Sequence, residues 1–217
     1  MVVRAFVVAV CVLPLLAQGA AVAQQEFQSA LRARPDQQHG EQLFLSCAAC
    51  HTSTGGGTAD GNAPAIAGQH YAVIVKQLVD FRHSRRWDIR MERYSSDHVL
   101  RGFQDISDVA RYIASLPVQQ LPEAEPRAVT DDARRRYDES CASCHGKTAE
   151  GSAVLRVPRM AGQNARYLAR QMHYALERRR PNFAIEHIVL LARFDDAALA
   201  GIADYAASLR GPQPPGN

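Results

Sequence analysis

The sequence predicts an all-α protein built from two tandem helical domains of one kind. Three observations predict it. Apolar residues recur at helix spacing in both halves, as in Tyr71, Ile74, Val75, Leu78 and Val79, and again in Tyr167, Leu168, Met172, Ala175 and Leu176. No period-2 run of β-branched residues competes with that pattern. Finally, Cys47-Ala-Ala-Cys50-His51 returns 94 residues later as Cys141-Ala-Ser-Cys144-His145.

The repeat extends well past the cysteines. Pro64-Ala-Ile-Ala-Gly68-Gln69 matches Pro158-Arg-Met-Ala-Gly162-Gln163, Gln77 matches Gln171, and Arg85-Arg86 matches Arg179-Arg180. Near the end of each half, Val109-Ala-Arg-Tyr112-Ile-Ala-Ser-Leu116 matches Ile202-Ala-Asp-Tyr205-Ala-Ala-Ser-Leu209. A period of this length is a whole small domain rather than a solenoid unit.

The elements follow in chain order. Residues 1–23 read as a secretory signal peptide: Arg4, an apolar run from Ala5 to Ala17, then Ala21-Val22-Ala23, with cleavage before Gln24. Pro14 interrupts the apolar run, which is too short for a membrane span. Residues 24–116 form the first domain and close on a helix carrying Ile106, Val109 and Ile113. Residues 117–130, with Pro122 and Pro126, read as a linker. Residues 131–210 form the second domain, whose last helix starts at Asp195-Asp196 and carries Leu199, Ile202 and Ala206. Residues 211–217 hold three prolines and form a flexible tail.

Composition narrows the function classes. The 217 residues are 47% hydrophobic and 22% charged with a net charge of +3, which excludes collagen, coiled-coil and low-complexity classes. A charge that small implies no nucleic-acid partner. Of the five cysteines, Cys11 leaves with the leader and four remain.

Those four sit in the Cys-x-x-Cys-His pattern, the attachment sequence for c-type haem. Two thiols three positions apart at a helix end each form a thioether to one vinyl group. The next residue, His51 or His145, then stands under the ring and gives an imidazole nitrogen to iron. A structural zinc site uses four protein ligands and no histidine directly after the pair, and a redox dithiol needs neither the histidine nor the second copy. Two covalent haem c groups are therefore expected, one on Cys47 and Cys50, the other on Cys141 and Cys144.

From Gln38 to Leu209 the chain resembles tandem dihaem class I cytochromes c, close in layout to the cytochrome c4 group. The haem motif, the Pro-x-x-Ala-Gly-Gln loop, a helix ending in basic residues and a final helix with Tyr-x-Ala-Ser-Leu carry the resemblance. It implies small helical bundles whose first and last helices cross, with Gly40, Phe44 and Tyr137 on one side and Tyr112 and Tyr205 opposite. It also implies that the carbonyls of Pro64 and Pro158 accept the Nδ1–H of His51 and His145, which orients the rings.

Distal ligation departs from the family. Such cytochromes complete the iron with a methionine before the last helix, yet the second half has no methionine after Met172. Met160 and Met172 read as core, which leaves His187 as distal ligand of the second haem. For the first haem the candidates are His98 and Met91, with His98 favoured because Asp97-His98-Val-Leu resembles Glu186-His187-Ile-Val-Leu. His39, His70, His83 and His173 read as surface residues. The arginine clusters read as solvated helix ends, with the repeated Arg85-Arg86 and Arg179-Arg180 as candidates for haem propionates.

The reading that follows is a periplasmic electron carrier, with an oxidase, a reductase or a dehydrogenase as redox partner and association with a membrane complex left open. The competing class is a dihaem enzyme. A peroxidase would need a releasable iron position. A thiosulfate enzyme would use a distal cysteine, and none remains outside the two motifs.

Overall fold

The protein was analysed as a computed structural model that describes residues 19–119 and 129–213. Most of the predicted signal segment including Cys11, the middle of the predicted linker and the last four residues lie outside that range. Among the described residues there is no strand, only an isolated antiparallel bridge between Ser152 and Val157.

The first half holds α1 (19–32), α2 (Gln37–His51), α3 (Tyr71–Arg82), α4 (Ile89–Ser95) and α5 (Phe103–Ser115). The second half holds α6 (Asp131–Ser140), α7 (Ala142–His145), α8 (Ala165–Leu176), α9 (Ile185–Leu191) and α10 (Asp196–Ser208). Local chemistry sets the starts. Asp36 caps α2 by accepting from the Gln38 and His39 N–H groups, Asp88 caps α4, Thr130 caps α6 and Asp195 caps α10 through Ala198 N–H. Each side-chain oxygen satisfies donors that the first helical turn leaves unpaired.

In each half the helix that leads into the cysteine motif packs across the last helix, α2 on α5 and α6 on α10. Tilted aromatic pairs mark both crossings: Phe44 with Tyr112 at 5.2 Å between ring centres, and Tyr137 with Tyr205 at 5.3 Å. Close approach needs a small residue. In the first half that residue is Gly40, where a Cβ would lie 2.1 Å from the backbone oxygen of Asp108. In the second half the small residue changes sides, with Gly201 of α10 facing Ala133 of α6.

Buried apolar side chains cluster within each half. Phe44, Val75, Leu78, Val79, Ile106, Val109 and Ile113 belong to the first cluster, while Tyr137, Met160, Leu168, Ile202 and Ala206 belong to the second. Met160 is core, as expected, and Met172 packs at the edge of the second cluster.

Helix α1 was not foreseen. Ala23, Phe27 and Ala30 are buried in the first cluster, so Ala23, on the leader side of the predicted scissile bond, packs against the first half. Tyr71 Oη donates to the Ala30 carbonyl at 2.8 Å. Glu26 pairs with Arg82 and, at 2.7 Å, with His83. Arg156 of the second half lies 5.5 Å over the Phe27 ring. Among the described residues no helix is long and apolar enough to cross a membrane.

Candidate functional site

Cys47 and Cys50 lie in the last turns of α2, Cys141 directly follows α6 and Cys144 lies on α7, and all four thiols are free of disulfides. Helical spacing puts the two sulfurs of each pair on one side, with the histidine in the next position. Cys47 and Cys141 face inward, and burial raises the Cys47 thiol and pushes Cys141 up to about 11. Cys50 and Cys144 are exposed.

The proximal histidines stand where the spacing demands. His51 Nδ1 donates to the Pro64 carbonyl at 2.8 Å and His145 Nδ1 to the Pro158 carbonyl at 3.2 Å. That bond commits Nδ1 and leaves Nε2 as the metal-facing atom. Burial lowers the proton affinity of His51, and pushes His145 down to about 4. Both rings are therefore neutral near pH 7, the form that binds a metal.

The structure brings His187 to His145. Their ring centres are 6.2 Å apart, close to the roughly 6 Å that separates two imidazoles sharing one metal through bonds of about 2 Å. Phe183 stacks on His187 at 4.8 Å and 19°, with Arg180 in turn 4.2 Å over the Phe183 ring. Burial, and secondarily the Arg180 charge, keeps His187 below its usual proton affinity. The four free thiols and the facing imidazoles fit covalent haem.

The first half is built differently from the expectation. His98 is exposed in the turn after α4, and among the described residues it forms no hydrogen bond or ring contact with His51. Met91, partly buried against the cluster that includes Cys47, is the third residue of α4, as His187 is the third residue of α9. Its neighbours Arg90 and Asp88 are close enough for their charges to act on His51. Only Trp87 and Asp88 separate Arg86 from α4, whereas 181–184 separate Arg180 from α9. The turn 96–102 after α4 is in turn longer than 192–195 after α9. These offsets nearly cancel along the chain, so the likeness of Asp97-His98 to Glu186-His187 is not a structural equivalence.

The two halves meet through a set of reciprocal hydrogen bonds. Arg86 donates to Gln77 at 2.6 Å, to Gln171 at 2.8 Å and to the Tyr167 hydroxyl at 2.7 Å. Arg180 donates to Gln171 at 3.2 Å and Gln77 at 3.4 Å. Both guanidiniums are buried, and Arg180 Nε has no partner. Burial pushes Arg180 down to about 9, with the Arg86 charge adding to the effect. The hydrogen-bond acceptors of both guanidiniums are neutral oxygens, and the nearby Asp80 carboxylate, which favours the charged form of Arg180, is already paired with Lys76. Haem propionates would complement the remaining positive charge. By contrast Arg85 and Arg179 are largely exposed.

His70 is not the surface residue expected. Half-buried, it donates from Nε2 to the Glu150 carbonyl at 2.8 Å, across the junction. Its repeat partner Asn164 does the mirror task, donating to the Ala59 carbonyl at 2.8 Å. His39 and His83 also have partners, Asp108 at 2.9 Å and Glu26. The sequence hid this because one role shared by two residue types, His70 and Asn164, leaves no visible match between the repeats.

The Cytochrome c family matches this chain over residues 37–117. Cytochrome c4 of Pseudomonas aeruginosa is 28% identical over 179 residues, covering 78% of this chain and 87% of the relative. The thiosulfate dehydrogenase electron acceptor of Stutzerimonas stutzeri is 28% identical over 177 residues, covering 76% and 79%. Among solved structures, reduced recombinant cytochrome c4 from Pseudomonas stutzeri superposes with a TM-score of 0.70 at 23% identity, covering 82% of this chain and all of that one.

Proposed function

We propose that this chain, a cytochrome c4-like class I cytochrome carrying two covalent haem c groups, works as an exported two-centre relay between redox proteins. It is an electron-transfer protein. The finer points of the reading are the ligand set, the compartment, the partners and the division into domains 24–116 and 131–210 joined by the linker.

Bound haem supplies a one-electron couple at iron, with a potential set by axial ligands, burial and nearby charge. Cys47 and Cys50 tether one group, Cys141 and Cys144 the other. His51 and His145 hold the proximal positions, oriented by the Pro64 and Pro158 carbonyls. His187 would supply the second protein ligand to the group on Cys141 and Cys144, and Met91 to the group on Cys47 and Cys50. Arg86 and Arg180 neutralise propionates where the halves meet. Thioether ligation raises the potential relative to imidazole, so the first centre is the more oxidising one.

The observation that carries this reading is the 6.2 Å separation of His145 and His187, with His145 Nδ1 already committed to Pro158. Were His145 and His187 both to bind the second iron, no position would be left for peroxide, which disfavours an enzymatic role. The partner reading rests on the name of one relative, an electron acceptor for thiosulfate dehydrogenase. Export rests on the leader pattern of residues 1–23.

The test is a redox titration with EPR on the holoprotein. Two haems per chain, one low-spin bis-imidazole signal and one sulfur-ligated centre of higher potential are expected. A high-spin resting signal in the second half, with peroxide turnover, would move the assignment to a dihaem enzyme.

A further inference from the structure

We propose that Gln69 and Gln163 are crossed positioning residues: each tunes the proximal histidine of the opposite half. The proposal rests on the two-haem reading and goes beyond it.

Gln163 reaches from the second half to Ala65 in the first. Its Oε1 accepts from the Ala65 N–H at 3.0 Å and its Nε2 donates to the Ala65 carbonyl at 2.8 Å. Gln69 does the same in reverse, accepting from the Arg159 N–H at 2.9 Å and donating to the Arg159 carbonyl at 3.0 Å. Each Oε1 also accepts a second N–H, from His70 for Gln69 and from Asn164 for Gln163. Two donors on one atom and a carbonyl on the other fix the orientation of both side-chain amides.

The residues gripped are not arbitrary. Ala65 N–H belongs to the same peptide group as the Pro64 carbonyl, and that carbonyl accepts from His51 Nδ1 at 2.8 Å. Arg159 N–H likewise shares its peptide group with the Pro158 carbonyl, which accepts from His145 Nδ1 at 3.2 Å. Two short chains result, Gln163 to Ala65–Pro64 to His51, and Gln69 to Arg159–Pro158 to His145. Each crosses from one half to the other.

The chemistry of such a chain has a definite sign. An N–H that donates polarises its peptide group and makes the carbonyl a better acceptor. A stronger bond from Nδ1–H makes the imidazole a more basic ligand. A more basic ligand favours the oxidised iron and lowers the potential. Removing the glutamine therefore raises the potential of the haem on the far side of the junction and leaves the near one in place. The two halves then tune one another through hydrogen bonds, without sharing a ligand.

The experiment uses holoprotein with haem content measured first. Gln163→Leu is expected to raise the potential of the haem on Cys47 and Cys50 alone, and Gln69→Leu that of the haem on Cys141 and Cys144 alone. Haem-resolved redox titration followed by NMR reads both. Shifts confined to the variant's own half, equal shifts at both haems or no shift overturn the proposal. Should a leucine variant fail to fold, Gln163→Glu and Gln69→Glu decide, since each keeps an oxygen for the N–H. A drop at the far haem larger than at the near one is then expected, and an equal or smaller drop overturns the idea. Wild-type protein short of two haems overturns the underlying reading, whereas two haems without crossed shifts overturns this proposal alone.

Discussion

Met91 and His187 hold the same place in two matching helices, each the third residue of a seven-residue segment that begins with isoleucine. In the proposed ligand set they differ in chemistry, a thioether in one half and an imidazole in the other. His187→Met is expected to abolish the bis-imidazole EPR signal and raise the potential of the second haem, because a thioether favours reduced iron. His98→Ala is expected to leave both optical and EPR spectra unchanged. Loss of a low-spin signal in His98→Ala would return the first centre to the ligand that the sequence favours.

A second prediction concerns pH. The hydrogen bond to Asp108, opposed by a smaller desolvation effect, raises the proton affinity of His39. The protonated ring ties α2 to α5 through the 2.9 Å contact. Because the folded-state value lies above the unfolded one, the stabilisation is complete below about pH 6.5 and fades as pH rises through the folded value. The side chain is 42% exposed, so solvent screening holds the effect under about 1 kcal/mol. Thermal melts of wild type and His39→Ala across pH 5–8 check it: the difference between them should shrink as pH rises.

Tyr137 does what Phe44 cannot. Its hydroxyl, fully buried, donates to the Gly146 carbonyl at 2.8 Å, just beyond the second haem motif. Tyr137→Phe removes that donor and leaves the carbonyl poorly satisfied, costing about 1–2 kcal/mol in chemical denaturation. Phe44→Tyr, with a hydroxyl forced into the packed first crossing, is expected to gain nothing.

Helix α1 gives a further stability prediction. Phe27 is 5% exposed and lies between the first core and Arg156 of the second half. Phe27→Ala should cost about 3 kcal/mol by loss of buried area and creation of a cavity. Denaturation of the mature holoprotein reads it, and a cost near zero would mean that α1 does not stay docked.

The sequence made the helices, the repeat and the Cys-x-x-Cys-His motifs legible because each is a local pattern. Helical periodicity shows over one segment, and Cys-x-x-Cys-His over five residues. The helix crossing was legible only through the resemblance to dihaem cytochromes c, which put Phe44 and Tyr137 opposite Tyr112 and Tyr205. What stayed hidden depends on register or on contact between halves. Asp97-His98 resembles Glu186-His187 in composition alone, while Met91 holds the matching place in its helix. The roles of Gln69, Gln163, His70 and Asn164 arise only when the halves meet, since their partners are 80 to 105 positions away. Burial of α1 was masked because its first residues overlap an apparent export signal.

The two helix crossings reach close packing by opposite routes, and this yields an asymmetric prediction. At the first, Gly40 lies against the backbone of Asp108, so an added methyl would sit 2.1 Å from a carbonyl oxygen that a rigid helix cannot withdraw. At the second, a Cβ on Gly201 would lie 3.3 Å from the Ala133 Cβ, a contact relieved by a few tenths of an ångström. Gly40→Ala should therefore cost about 3 kcal/mol, the upper range for overpacking, despite alanine's better helix propensity. Gly201→Ala should change stability by under about 1 kcal/mol, since the propensity gain offsets the crowding. Denaturant midpoints of the two holoprotein variants, measured side by side, test this: equal losses would mean that the crossings are packed alike.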